Sequence, residues 1–517
     1  MDLKSLGHKI DARSFPIAWP GHWIGSQWHH SPKTSQTQIK QSVNPSTGGV
    51  ICEFPVDKNA VEAAITTAVA AKDRIAKIPY EQRVDILRRF RQSMADYQRM
   101  LSTAMQIEAG KPGWEARADV DSALRYIDWV VEKNEMIFDA LLAPARLGQQ
   151  TGSFKLLPIG VAAGYLPFST PLTSFAFYFS ASVLAGCPLI LVNSTHASLT
   201  GMILSLLDQT LSLPQGLLAI VSGNFNVFKH AVIDRRVAAI LYTGSNEHCD
   251  FIRRESRAIH GRQIVLQSGG KNAVLIHNSG DMETALKCVV YGALKSSGQL
   301  CTSTSRVFVH KSMTSVFEER LVGVLQKIHI GPTDQSSDGA GDPFMGPLYS
   351  DKAIEKFLRY QTMASREAKR SPLWGKTLES NSKGFFVSPG VHIVEKFDES
   401  SSYQSNVLFC PDIAIYEYDT LDGAIDSINA TDATMAVSFV GDPKVLEARR
   451  DSFHAPNLLS NLPTVEIDAT LPLAGRLHSG GYRYHGPGIA LYLSYPQVVQ
   501  IDETAQKTVG TWPWPKI

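Results

Sequence analysis

The chain has 517 residues, 44% of them hydrophobic and 19% charged, with 50 Lys+Arg against 49 Asp+Glu and a formal net charge of +1. That length exceeds one compact core and suits two or three domains. Balanced charge without a basic run argues against nucleic acid or an anionic membrane as partner. Six scattered cysteines (Cys52, Cys187, Cys249, Cys288, Cys301, Cys410) form no CxxC pair and read as free thiols of a reducing compartment. Neither they nor the histidines, the His29-His30 pair included, show metal-ligand spacing, so no metal site is expected. Met1 to Lys9 lacks the apolar core of a signal peptide, and the longest apolar stretch, Phe175 to Ile190, is broken by Ser, Gly and Pro. A soluble cytoplasmic protein is the expectation.

Asn59 to about Ala140 carries helical apolar spacing, as in Val84, Ile86, Leu87, Phe90 and Met94. Past Lys155 the texture changes. Short β-like runs at 159–163, 188–192, 218–221 and 238–242 alternate with helix-length segments, the sign of βαβ units and a parallel sheet. A second series follows, with strands near 273–276, 305–309 and 412–416 and helices around 281–296 and 314–328. Gly331 to Met345 and Asn381 to Gly384 are loop-rich. Tyr492 to Gln500 reads as a late strand, and Thr511-Trp512-Pro513-Trp514-Pro515 as extended, since proline forbids a helix there. No repeat of fixed period is visible. The fold class is α/β with two Rossmann-like halves.

Two boxes carry the chemistry. Ser296-Ser297-Gly298-Gln299-Leu300-Cys301-Thr302 follows Leu266-Gln267-Ser268-Gly269-Gly270-Lys271-Asn272, with Cys301 34 positions after Gln267. Together they resemble the nucleophile and base boxes of the aldehyde dehydrogenase superfamily. Further marks stand in family order: Trp23-Ile24-Gly25-Ser26-Gln27-Trp28, Asn44-Pro45-Ser46-Thr47-Gly48, Glu108-Ala109-Gly110-Lys111-Pro112, Pro167-Phe168-Ser169-Thr170-Pro171, Tyr242-Thr243-Gly244-Ser245 and Pro472 to Gly480. The run Gly110 to Ala116 leans toward the succinylglutamate semialdehyde dehydrogenase branch.

The resemblance implies that a Cys301 thiolate attacks an aldehyde carbon, giving a thiohemiacetal and, after hydride transfer, a thioester that water hydrolyses. Where the family places its glutamate base stands Gln267, whose neutral amide orients water but takes no proton; losing base help is worth roughly 10²–10⁴ in rate. Coenzyme A-acylating members, which pass the acyl group to a thiol, often lack this glutamate. Where the family's oxyanion-hole asparagine stands is Ser169, a shorter donor; one such donor is worth about 2.7–4 kcal/mol. Lys271 reads as structural.

The resemblance also implies NAD or NADP, yet the positions that would hold it depart together. Val192 and Thr195 replace a lysine and a glutamate that meet the adenosine ribose. Phe228 stands where a glycine admits adenine, Cys249 replaces a helix glycine, and Val407 replaces the glutamate of the nicotinamide ribose. Gly244 and Ser245 remain, with Ser245 at a helix N-terminus that could hold a phosphate or be a plain cap. Dinucleotide binding is therefore in doubt. Three readings stay open: an aldehyde or semialdehyde oxidoreductase with impaired or altered NAD(P) use, a catalytically inactive scaffold or binding protein, and a Cys301 acyltransferase, CoA-acylating enzyme or esterase.

By the same resemblance, 1–145 with 159–266 would form a dinucleotide-binding-type domain and 267–480 the catalytic domain. Residues 146–158 and 481–517 would form a β oligomerisation flap and C-terminal arm, extending a neighbour's sheet in a homodimer or homotetramer.

Overall fold

The computed structural model describes residues 1–31, 38–142, 145–147, 150–334, 341–379, 383–482, 484–486 and 488–502. The expected extended tail at 511–515 lies outside these residues, as do 335–340 and 381–382 of the two loop-rich stretches and 148–149 of the flap.

The helical spacing before residue 140 resolves into four helices, Lys58–Ala76, Tyr80–Asp96, Gln98–Ala109 and Gly113–Leu142. Val84, Ile86, Leu87, Phe90 and Met94 share one buried face, as their spacing requires. The alternation after residue 159 builds two seven-stranded sheets. In the first, Gln263–Gln267, Val237–Thr243, Val161–Leu166, Leu189–Asn193 and Leu218–Ser222 lie side by side and parallel, followed by antiparallel His22–Ile24 and Gln27–His29. The order of the parallel strands reverses between Val161–Leu166 and Val237–Thr243. Open α/β sheets bind ligands in the crevice outside the carboxyl ends of strands at such a point.

The second sheet runs Arg370–Leu373, Gly390–Val394, Asp412–Tyr418, Thr304–His310, Asn272–Ile276, Ala436–Val440 and Asn457–Ser460, all parallel but the first. Helices cover both faces of each sheet, so the inner strands are buried throughout. This explains their near-continuous apolar runs. Strands at 390–394, 436–440 and 457–460 went unread in the sequence because they are short and show no period-2 alternation.

A third, antiparallel sheet pairs Ser494–Asp502 with Gln150–Pro158, and Gln150–Pro158 with Ala145–Leu147. Tyr495, Val498, Val499 and Ile501 are exposed on it. No helix among the described residues is long and apolar enough to cross a membrane.

The connection between the two large sheets positions the site. Gln267 ends the edge strand of the first sheet, and Asn272 opens a strand of the second after four intervening residues. Gly480 bridges to Gln267 from the other side, Gly481 N–H donating to the Leu266 carbonyl at 2.7 Å and Ser268 N–H to that of Ser479 at 3.2 Å.

Candidate active site

Cys301 sits just before the strand Thr304–His310, at the amino edge of the second sheet, and Gln267 faces it from the carboxyl edge of the first. Gln267 Nε2 donates to Cys301 Sγ at 3.1 Å. The backbone N–H groups of Cys301 and Thr302 also turn toward the sulfur. The thiol thus has donors and no carboxylate beside it. Burial nevertheless dominates and pushes its pKa up to about 12. The other five cysteines are buried, and Cys301 alone is only half-buried.

The approach to Cys301 is strained. Ser296, Ser297 and Gly298 occupy the left-handed region at φ 51°, 55° and 71°, which costs about 1–2 kcal/mol per non-glycine residue. Polar contacts offset it. Glu115 accepts from Ser296 N–H at 2.9 Å and from the Ser296 hydroxyl, and Ser297 Oγ donates to the Gly346 carbonyl at 2.8 Å. Gly298 is required twice over, since a Cβ there would fall 2.4 Å from the Cys410 carbonyl oxygen. Asn272 fixes the far side of the loop. Its Nδ2 donates to the carbonyls of Cys301 at 2.9 Å and Ser303 at 3.0 Å.

Beside the thiol opens a cavity of about 590 Å³, lined by apolar Leu124, Phe177 and Leu473 and by the polar set Lys111, Glu115 and Asp119. Its size is that of a small-molecule site. Lys111 lies 3.5 Å from Glu115 and 3.3 Å from Asp119, and Asp119 accepts from the Thr173 hydroxyl. Sequence reasoning missed this set, although the four-residue spacing of Glu115 and Asp119 places both on one side of the helix Gly113–Leu142, with Lys111 in the turn just before it.

Ser169 is half-buried in the turn ahead of helix Pro171–Ala185 and does not line the cavity; Thr170, Thr173 and Ser174 do. Lys271 is fully buried and donates to the Tyr403 carbonyl at 2.9 Å, with burial lowering its pKa to about 7. Val407 and Phe409 lie over Gly269, where a Cβ would meet them at 2.6 and 2.4 Å. Gly244 N–H donates to the Gln267 carbonyl at 3.0 Å, and Ser245 caps helix Asn246–Ser256 through a 3.4 Å bond from His248 N–H.

The crevice at the strand-order reversal is aromatic. Val192 and Phe228 are both wholly buried in one apolar core, Phe228 lying 5.6 Å from Tyr165 and 6.3 Å from Tyr242. Thr195 is half-buried at the start of a short 3-10 turn. Phe225, the first residue of helix Phe225–Ile233, stacks on His248 of helix Asn246–Ser256 with centroids 3.5 Å apart and planes at 8°. That stack, which the sequence reading did not single out, fills the gap between the two helices. At this crevice Val192 and Phe228 therefore turn apolar side chains into the core, while Thr195 carries a hydroxyl.

A model of the aldehyde dehydrogenase family matches residues 31–499. This chain belongs to the aldehyde dehydrogenase family. The malonate-semialdehyde dehydrogenase of Bacillus pumilus (strain SAFR-032) is 26% identical over 458 residues, covering 88% of this chain and 92% of that protein. Among solved structures, 1-pyrroline-5-carboxylate dehydrogenase from Thermus with bound NAD superposes with TM-score 0.86 at 21% identity, covering 96% of this chain and 95% of its own. Escherichia coli lactaldehyde dehydrogenase gives 0.85 at 23%, covering 95% and 100%. The aldehyde dehydrogenase fold is thereby shown. The relatives named here do not belong to the succinylglutamate semialdehyde branch.

Two outcomes follow. Alkylation of Cys301 by iodoacetamide, which needs the thiolate, is expected to rise about tenfold per pH unit from pH 7 to 9 without levelling, because the thiol's pKa lies near 12. A plateau near pH 8 would mean that the surrounding donors outweigh burial. Phe228→Ala is expected to lower unfolding stability by about 3–5 kcal/mol; unchanged denaturant unfolding would place Phe228 in an open cleft instead.

Proposed function

We propose that this chain is an aldehyde dehydrogenase-type oxidoreductase that takes an aldehyde or semialdehyde at Cys301, with impaired or altered use of NAD(P). The observation that carries the reading is Cys301, a half-buried residue whose thiol is held 3.1 Å from the Gln267 amide at the edge of a small-molecule cavity. Addition forms the S–C bond, and the thiol proton ends on the former aldehyde oxygen, giving a thiohemiacetal. The N–H groups of Cys301 and Thr302 stand where developing negative charge would be met. Passage to a thioester removes a hydride, and the aromatic filling of the adenosine crevice bears on that step. Release of the acyl group by water is slow in this reading, since Gln267 accepts no proton.

A second reading keeps Cys301 acylation without hydride transfer, toward a thiol or from an ester. Gln267 favours it as well, because transfer to a thiol does not need water activated at that position. An inactive scaffold is the third reading. Calorimetric titration with NAD and NADP at millimolar ligand separates them. Saturable binding would support the dehydrogenase reading; no heat, with a cooperative melting transition, would favour the other two.

The same proposal assigns 1–145 with 159–266 to a dinucleotide-binding-type domain, 267–480 to the catalytic domain, and 146–158 with 481–517 to the flap and arm. The exposed Val498 and Ile501 side chains on the C-terminal arm favour a homodimer or homotetramer. Free cysteines throughout fit a cytoplasmic setting.

Gln267→Glu is expected to speed hydrolysis of an acyl-Cys301 species, loaded from p-nitrophenyl acetate and followed by stopped flow, by roughly 10²–10⁴. No gain would remove Gln267 from the water-activating position.

A further inference from the structure

Ser296 is the pivot on which the Cys301 loop turns. Its N–H donates to Glu115 Oε2 at 2.9 Å and its hydroxyl to Glu115 Oε1. Its carbonyl accepts from Gln299 N–H at 3.0 Å and from Gln299 Nε2 at 2.8 Å, and Gln299 Oε1 accepts from Tyr349 N–H at 3.0 Å. Every polar atom of Ser296 is thus engaged, on a left-handed backbone at φ 51° that costs a non-glycine residue free energy. Ser297 follows in the same region, and Cys301 stands five positions after Ser296. The direction in which the chain leaves Ser296 therefore decides where the Cys301 and Thr302 N–H groups point.

Glu115 reaches this pivot from elsewhere in the fold. It lies in the first turn of helix Gly113–Leu142, is 2% exposed, and stands 181 positions from Ser296 in sequence. A buried carboxylate needs partners for its oxygens. Ser296 gives one donor to each, and Lys111 Nζ lies 3.5 Å from Oε1. Lys111 also lies 3.3 Å from Asp119, which accepts from the Thr173 hydroxyl of helix Pro171–Ala185. A polar chain thus runs from the cysteine loop through Glu115, Lys111 and Asp119 to the helix whose Ser174 and Phe177 line the cavity. The groups beside the sulfur are Gln267 Nε2 and the N–H groups of Cys301 and Thr302, so Glu115 acts on the thiol only through the loop. Without its carboxylate, two buried donors would lose their acceptors at a strained residue, and the loop would gain by relaxing toward the right-handed region.

We propose that Glu115 is a positioning residue for Cys301: by pinning Ser296 in its left-handed conformation, it aims the Cys301 and Thr302 N–H groups at the oxygen of an adduct on the sulfur. The inference rests on the reading of Cys301 as the capturing thiol.

Two reactions of that thiol in the full chain test it: alkylation by iodoacetamide, read by peptide mass spectrometry, and acylation by p-nitrophenyl acetate, read as the nitrophenolate burst. Both need the thiolate, so their rate ratio at one pH removes any change in its population. Only acylation passes through a tetrahedral oxyanion that N–H donors stabilise. Glu115→Gln is expected to lower the ratio of acylation to alkylation by about tenfold or more; outright loss of one such donor costs about 10²–10³. Adding Ser296→Gly is expected to restore part of the ratio, because glycine takes a positive φ at no steric cost. Cooperative melting of each variant establishes that it is folded. Should Glu115→Gln not fold, Ser296→Ala, which removes only the hydroxyl donor, is expected to lower the ratio by about threefold, and no change there would overturn the proposal. An unchanged ratio in folded Glu115→Gln, whatever its melting temperature, would leave Glu115 a structural carboxylate and overturn its positioning role. A lowered ratio that Ser296→Gly does not raise would overturn the left-handed pivot as its route. A wild-type chain that p-nitrophenyl acetate does not acylate at Cys301 would overturn the capture reading, and this inference with it.

Discussion

The buried side-chain amide of Asn272 joins the segments whose relative placement defines the site, donating to the carbonyls of Gly270, Cys301 and Ser303 and accepting from the N–H groups of Met435 and Ala436. These groups lie at the amino edge of the second sheet, where the strands have not yet begun to satisfy one another. Leaving one of them unpaired in the interior would cost about 1–3 kcal/mol, so no aliphatic residue could hold this position. Because Asn272 follows Gln267 by only five residues, the amide that ties the cysteine loop also fixes the distance to the first sheet's edge.

From that constraint comes the chemical character of the thiol. Cys301 reaches its place through three left-handed residues held by Glu115 and the Gly346 carbonyl, and arrives among N–H donors. Such a setting favours charge on sulfur or on an oxygen bound beside it, while burial opposes that charge and wins in the resting state. A pocket of this kind stabilises an adduct better than it activates water, because nothing next to the sulfur accepts a proton.

The other crevice is governed by packing. Where the strand order of the first sheet reverses, Tyr165, Phe225, Phe228, Tyr242 and His248 touch one another, and Tyr242 Oη meets His248 Nδ1 at 2.8 Å. Aromatic side chains bury large areas, so this layer gains by closing on itself what an open cleft would leave exposed. The fold keeps a frame that it shares with structures such as the Thermus dehydrogenase.

Much was legible without coordinates. The two boxes named Cys301 and Gln267, and the order of motifs along the chain named the family, because both are properties of local sequence. The alternation of apolar runs with helical spacing gave the α/β class, since a parallel sheet needs a helical crossover between its strands. The strand at 436–440 was not legible, since burial on both faces erases the period-2 signal, and that at 457–460 was not because four residues are too few to show one. Glu115 and Asp119 share one side of a helix by their spacing, but that Glu115 faces Ser296, 181 residues away, could not be read. The Phe225–His248 stack was hidden for the same reason. The sequence by itself determined the family and the fold; which residues share a cavity, which charges are already paired and which space is closed were decided only when distant segments packed, because pairing and burial are properties of neighbours in space.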